Sequence, residues 1–170
     1  MTGPMQQKAG EIRLLVSDVD GCWTNGKVTL DAVGGELVTF DIHDGYGVYC
    51  LLKAGLEIAV ISGRENPAVA ARMQKLGITE VHLGNLEKGS TLDAILHQRQ
   101  LQPSQVAAFG DDLPDLALFE RAGLCFAPAN ARAEVAVKAD YVTKASGGNG
   151  ALREICDLLL ASREAMQKTT

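Results

Sequence analysis

Two aspartates spaced two residues apart, Asp18 and Asp20, follow the apolar run Leu14-Leu15-Val16 and stand just before Gly21. In an extended chain, residues i and i+2 project to the same side. The two carboxylates therefore begin as neighbours at the end of a strand. Such a pair repels unless a cation or a proton lies between its members, so at neutral pH the pattern calls for a metal ion or for one acid kept protonated. Gly21 lets the chain turn away sharply and leaves the site open. Three further polar clusters follow apolar runs. They are Ser62-Gly63-Arg64 after residues 56–61, Lys88 within Gly84-Asn85-Leu86-Glu87-Lys88-Gly89-Ser90, and Gly110-Asp111-Asp112-Leu113-Pro114-Asp115 after residues 106–109.

Oxygen donors with only three histidines in the chain favour a hard cation, most naturally Mg²⁺. Mg²⁺ held by a few carboxylates is the usual companion of a phosphate ester. A carboxylate can itself act as nucleophile, forming an aspartyl-phosphate that divides one hard step into two easier ones. Positive groups must then offset the charge of the phosphoryl group in transfer, and Lys88 is placed to do this before a helix.

These residues need a scaffold that brings distant segments together. Residues 12–17 and 56–61 read as core strands, 81–83 as a short strand and 106–109 as another core strand, with short strands at 124–126 and 141–142. Helical spacing lies between them. Near-continuous apolar strands are those of a parallel sheet covered on both faces. Asn66 is expected to cap a helix that begins at Pro67 and stops at Gly77. Alternating strand and helix predict right-handed crossovers and a doubly wound parallel α/β sheet, whose ligands bind beyond the carboxyl ends of the strands. Asp18 with Asp20, Ser62, and Asp111 with Asp112 and Asp115 all fall at such ends. Asn25-Gly26 signals a hairpin turn, and residues 27–30 and 36–40 read as its two strands, an insert of about 26–40 between the first strand and the first helix.

The length of 170 residues suits one domain, expected over residues 11–166, with a polar tail at 1–10 and a short tail at 167–170. A net charge of −5 with no basic block argues against nucleic acid. No run approaches the roughly 20 apolar residues that would span a bilayer, and the N-terminus lacks an apolar signal core. Cys22, Cys50, Cys125 and Cys156 form no CxxC pair, which fits reduced thiols in the cytoplasm.

Asp18-Val19-Asp20-Gly21, Ser62-Gly63-Arg64, Lys88 and Gly110-Asp111-Asp112 with Asp115 match, in order, the four motifs of the haloacid dehalogenase-like phosphatases. The short hairpin in place of a cap domain, Asp44-Gly45-Tyr46-Gly47 and Gly147-Gly148-Asn149-Gly150-Ala151-Leu152-Arg153-Glu154 narrow the likeness. Over about residues 11–160 the chain resembles the 3-deoxy-D-manno-octulosonate 8-phosphate phosphatases.

The resemblance implies a capless, Rossmann-type three-layer fold and a homotetramer whose hairpins pack around the fourfold centre. It implies a cytoplasmic, Mg²⁺-dependent phosphatase of lipopolysaccharide precursor synthesis. Asp18 would be the nucleophile and Asp20 the general acid, then base. Asp18, the backbone carbonyl of Asp20, and Asp111 would hold Mg²⁺, while Ser62 and Lys88 hold phosphoryl oxygens and Asp112 and Asp115 orient these groups from behind. Arg64 and Arg72 would meet the sugar acid, some of them from a neighbouring subunit. Asp41, His43, Asp44, Gly45 and Tyr49 would line the substrate pocket, with Asp20 and Lys88 also touching the ligand.

The chain departs from the family pattern in places. His43 and Tyr49 stand where relatives often carry arginine, and Asn25 where they often carry aspartate. Cys22-Trp23-Thr24 also resembles the phosphatases of nine-carbon sugar acids, an alternative substrate class. Those tend to have glutamate at the position of Arg64, which favours the eight-carbon reading.

Overall fold

The computed structural model describes residues 3–168. Six parallel strands form one sheet in the order β5-β4-β1-β6-β7-β8. They are β1 (Leu14–Ser17), β4 (Glu57–Ile61), β5 (Glu80–His82), β6 (Val106–Phe109), β7 (Leu124–Ala127) and β8 (Tyr141–Val142). β1 is central, with Leu14 in register with both Glu57 and Val106. Chain order runs outward from β1 to β4 and β5, then returns to β6 on its other side, so the winding reverses beside β1.

The strands alternate sides as the two-residue period requires. Leu15, Ile58, Val60, Ala107, Phe109, Leu124 and Phe126 face one core, which is closed by helices α1 (Gly3–Glu11), α2 (Ile42–Lys53), α3 (Pro67–Leu76) and α7 (Ala151–Gln167). Leu14, Val16, Ala59, Ile61, Val106, Ala108, Cys125 and Ala127 face the other, under α4 (Lys88–Arg99), α5 (Leu116–Phe119) and α6 (Ala133–Ala136). Strands buried on both faces explain the unbroken apolar runs in the sequence. At about 25 cal/mol per Å² of apolar surface removed from water, these two cores are the main term holding the sheet to its helices.

Local signals end the elements where expected. Asn66 Oδ1 accepts from Ala68 N at 2.8 Å, Pro67 opens α3, and Gly77 closes it in the left-handed region at φ 80°. Asp41 caps α2 by accepting from His43 N at 2.6 Å.

Three expectations change. Residues 3–10 are not a loose tail but most of α1, which lies on α7 with Ala9 and Gly10 buried. A Cβ on Gly10 would press on Met166 and on the Ser162 carbonyl, so the two helices meet closely there. The stretch GPMQQKAGE escaped notice because its apolar face is reduced to Met5 and Ala9, one turn apart. The hairpin pairs only over β2 (Thr29–Leu30) and β3 (Glu36–Leu37), both exposed, as suits a two-stranded element with no sheet to lie on. At the other end, α7 continues through Gln167, and residues 169–170 of the expected tail lie outside the described residues.

Candidate active site

The four polar clusters converge on one rim of the sheet. β1 delivers Asp18, whose backbone N–H extends the parallel ladder by donating to the Phe109 carbonyl at 3.0 Å. β4 delivers Ser62, whose backbone is held on both sides: its N–H donates to His82 O at 2.9 Å and its carbonyl accepts from Asn85 N at 2.9 Å. β6 delivers Gly110 and Asp111, and α4 opens on Lys88. Asp18, Asp20, Ser62, Arg64, Lys88 and Asp111 line a single open hollow. It lies beside β1, where the winding reverses, the place where doubly wound sheets bind ligands.

Lys88 is almost wholly buried. Its Nζ donates to Asp18 Oδ1 at 2.6 Å and to Asp115 Oδ1 at 2.6 Å. Burial alone would push the ammonium toward its neutral form, but the Asp18 and Asp115 carboxylates outweigh it and hold the Lys88 pKa above the ordinary lysine value. Asp115 spends its other oxygen on backbone, accepting from Asp111 N at 2.9 Å and Asp112 N at 3.1 Å. It thus ties the lysine to the loop that carries Asp111. Asp112 turns its own side chain to the local helical turn, capping Leu113 N at 2.8 Å.

Burial and the mutual repulsion of the carboxylates raise the pKa of both Asp18 and Asp111. Burial, then the Asp115 charge, raises the pKa of Asp18 from 3.8 to about 6 against the pull of Lys88. Burial, then Asp18, Asp115 and Asp112, raises that of Asp111 to about 7. Donor atoms of Asp18, Asp111 and Cys22 lie within 4.8 Å of one another. Carboxylate oxygens at that separation fit a hard divalent cation. The Cys22 thiol, 3.9 Å from Asp111 Oδ1, is pushed by burial well above its ordinary pKa, so it keeps its proton and packs beside the donors. The sequence placed Cys22 among buried thiols but gave no sign of this neighbour.

The approach of Asp111 needs Gly21. That residue sits at φ 84°, and a Cβ there would collide with Asp111 Oδ2. Asn130, which no motif pointed to, steadies the same turn. Its Nδ2 donates to Gly21 O at 3.0 Å while its Oδ1 accepts from Gly147 N at 2.6 Å, joining the loop after β1 to the glycine loop before α7. Trp23 is buried, and its Nε1 donates to Ser17 Oγ at 2.9 Å, next to Asp18.

The expected substrate contacts divide. Arg64 reaches the hollow, with Nη1 3.7 Å from Asp20 Oδ1 and Nη2 bonded to Glu36. Asp44 does not line it. Its Oδ1 accepts from Arg153 N at 2.7 Å, so it caps α7 from another helix where the local cap residue, Gly150, has no side chain to offer. Gly45 packs against the Arg72 guanidinium, which lies over the Phe40 ring at 5.9 Å. Asp41 serves as the α2 cap, His43 is largely exposed with Nδ1 3.2 Å from Asp41, and Tyr49 stacks on Tyr46 at 6.1 Å on the surface. None of these lines the hollow of its own chain.

Residues 60–155 match the family model of the haloacid dehalogenase-like hydrolases. The 3-deoxy-D-manno-octulosonate 8-phosphate phosphatase of Yersinia pestis is 40% identical over 164 residues, 96% of this chain and 88% of that one. The one from Escherichia coli K12 is 42% identical over 156 residues, 92% and 83% of the two chains. The Yersinia pestis crystal structure superposes with a TM-score of 0.94 at 38% identity, covering 98% of this chain and 90% of that one. The Moraxella catarrhalis phosphatase of that name, in complex with magnesium, phosphate and 3-deoxy-D-manno-octulosonate, superposes with a TM-score of 0.92 at 33% identity, covering 99% of both chains. Motif order, sheet topology and similarity along nearly the whole length agree, and the chain belongs to the haloacid dehalogenase-like hydrolases, in the family of the 3-deoxy-D-manno-octulosonate 8-phosphate phosphatases.

Proposed function

We propose that the protein hydrolyses 3-deoxy-D-manno-octulosonate 8-phosphate to the free sugar acid and phosphate, a step of lipopolysaccharide precursor synthesis. The observation that carries the chemistry is the buried triad Asp18–Lys88–Asp115 facing Asp111 at the sheet rim. The substrate is supported by the relatives of that name and by the sugar-acid complex of one of them.

Asp18 attacks phosphorus while the bond to the sugar oxygen breaks, and Asp20 gives that oxygen its proton. Asp20 then takes a proton from water as the water attacks the aspartyl-phosphate, releasing phosphate and restoring Asp18. Ser62 Oγ and the Lys88 ammonium hold phosphoryl oxygens. Asp18, Asp111 and the Asp20 carbonyl would hold Mg²⁺, which when bound supplies charge compensation for the phosphoryl group. Asp115 holds Lys88 and the Asp111 loop in place from behind.

The exposed apolar residues of the hairpin, Val28, Leu30, Val33 and Leu37, support a homotetramer assembled through it. In such an assembly Arg72, His43 and Tyr49 would face the hollow of a neighbouring subunit. A cytoplasmic location suits four free cysteines. The test is phosphate release from the octulosonate ester with Mg²⁺. Wild type turns over, and Asp18→Asn loses at least a thousandfold in kcat. Full activity of the substituted protein would end the nucleophile assignment.

A further inference from the structure

The hairpin reaches back over the site through a single acid. Both carboxylate oxygens of Glu36 accept from Arg64 Nη2, at 2.7 and 2.6 Å, and Glu36 Oε2 also accepts from Asn66 Nδ2 at 2.9 Å. Asn66 is itself fixed, since its other amide atom caps α3. Glu36 therefore has a built resting place rather than a chance contact. Arg64 turns its remaining terminal nitrogen toward Asp20 at 3.7 Å. Two acids thus share one guanidinium at the point where the hollow under the hairpin meets the one around Asp18; Asp20, Ser62 and Arg64 line both.

We propose that Glu36 is a specificity-determining residue, an internal carboxylate that occupies Arg64 until a ligand carboxylate displaces it. Both Glu36 oxygens are held by Arg64 Nη2, so an incoming carboxylate pairs with that nitrogen only by displacing Glu36. A sugar phosphate with its own carboxylate recovers the ion pair it breaks. A phosphate ester without one gains nothing by moving Glu36, and leaves the hairpin tied down. Discrimination then comes from the competing internal acid as well as from the attraction of the arginine. The inference rests on the sugar-acid reading of the site.

The experiment compares wild type, Glu36→Gln and Glu36→Ala on two Mg²⁺-supported reactions. One is hydrolysis of 3-deoxy-D-manno-octulosonate 8-phosphate and the other hydrolysis of p-nitrophenyl phosphate, which has no carboxylate. Both substitutions are expected to lower KM for the sugar-acid ester about two- to fivefold, the scale of a solvent-facing ion pair. Its kcat and both constants for the plain ester should stay within twofold of wild type. A KM for the sugar acid that is unchanged or raised, or an equal change for both esters, overturns the proposal. Should wild type cleave only the plain ester, the substrate reading fails by itself. Free 3-deoxy-D-manno-octulosonate then serves as an inhibitor of plain-ester hydrolysis. Tighter inhibition of the Gln and Ala proteins than of wild type supports a competing Glu36, and equal or absent inhibition of all three overturns it.

Discussion

Lys88 Nζ stands 2.6 Å from Asp18 and 2.6 Å from Asp115, with all three side chains shielded from solvent. One buried cation thus serves two buried acids. Removing it leaves both without a counter-charge, and a buried ion pair broken on one side costs about 3 kcal/mol or more. Lys88→Met is therefore expected to unfold at lower temperature than wild type. Its kcat should fall by about 10² or more, as for loss of one charge-stabilising donor. Thermal melts and steady-state kinetics on the same preparation check both effects.

Asp44 joins α2 to α7 by accepting from Arg153 N, and it holds no place in the hollow of its own chain. Losing a helix cap costs about 1 kcal/mol, and in a protein of this size each kcal/mol moves Tm by about 2–4 °C. Asp44→Ala should melt a few degrees lower with kcat and KM for the sugar-acid ester within about threefold of wild type. A large rise in KM with unchanged Tm would return Asp44 to the substrate pocket.

Asp18 and Asp111 titrate above the 3.8 of an ordinary aspartate, at about 6 and about 7. Between about pH 4 and 7 the folded, metal-free protein keeps protons that the unfolded chain has released. Its stability therefore falls as pH rises through that window. Mg²⁺ binds the deprotonated pair, so its affinity rises over the same window. Melts with and without 10 mM MgCl₂ should show a stabilisation that is small at pH 5 and grows to several degrees at pH 7.5. A metal-induced shift that is the same at both pH values would contradict the assignment of Asp18 and Asp111 as ligands.

Val28, just before β2, and Leu30 within it are each more than half exposed. If the proposed tetramer assembles through the hairpin, placing charge on both, as Val28→Glu with Leu30→Glu, should leave the monomer fold intact and shift sedimentation to smaller species. If the hollow is completed by a neighbour, KM for the sugar-acid ester rises with it. Wild type sedimenting as a monomer at micromolar concentration would remove the basis for this.

Most of the rim was legible in the sequence because Asp18, Ser62 and Asp111 each close an apolar run, and strand ends of a parallel sheet meet at one edge. Asp18, Ser62 and Asp111 could be brought together on that ground, while Lys88 joined them through its place before a helix and in the motif series. The start and stop of α3 were also legible, since Asn66, Pro67 and Gly77 act within a turn of their own positions. What escaped was long-range and singular. The hydrogen bond from Arg153 to Asp44 spans 109 residues, and that from Asn130 to Gly21 also spans 109, with no local pattern to announce either. The weakly apolar face of α1 is meaningful only once α7 is there to receive it. Glu36 looked like the first residue of a hairpin strand until the fold set it against Arg64.

The hairpin leaves the body just after Thr24 and returns at Asp41, and both of these ends are secured by the core scaffold rather than by the hairpin itself. Its length is therefore nearly free: doubling a flexible insert costs only about 0.6 kcal/mol in closure entropy. A lineage could exchange this short strap for a larger cover, or trim it, without disturbing Asp18 a few residues upstream. The position is a splice point where substrate range can change while the reaction stays the same.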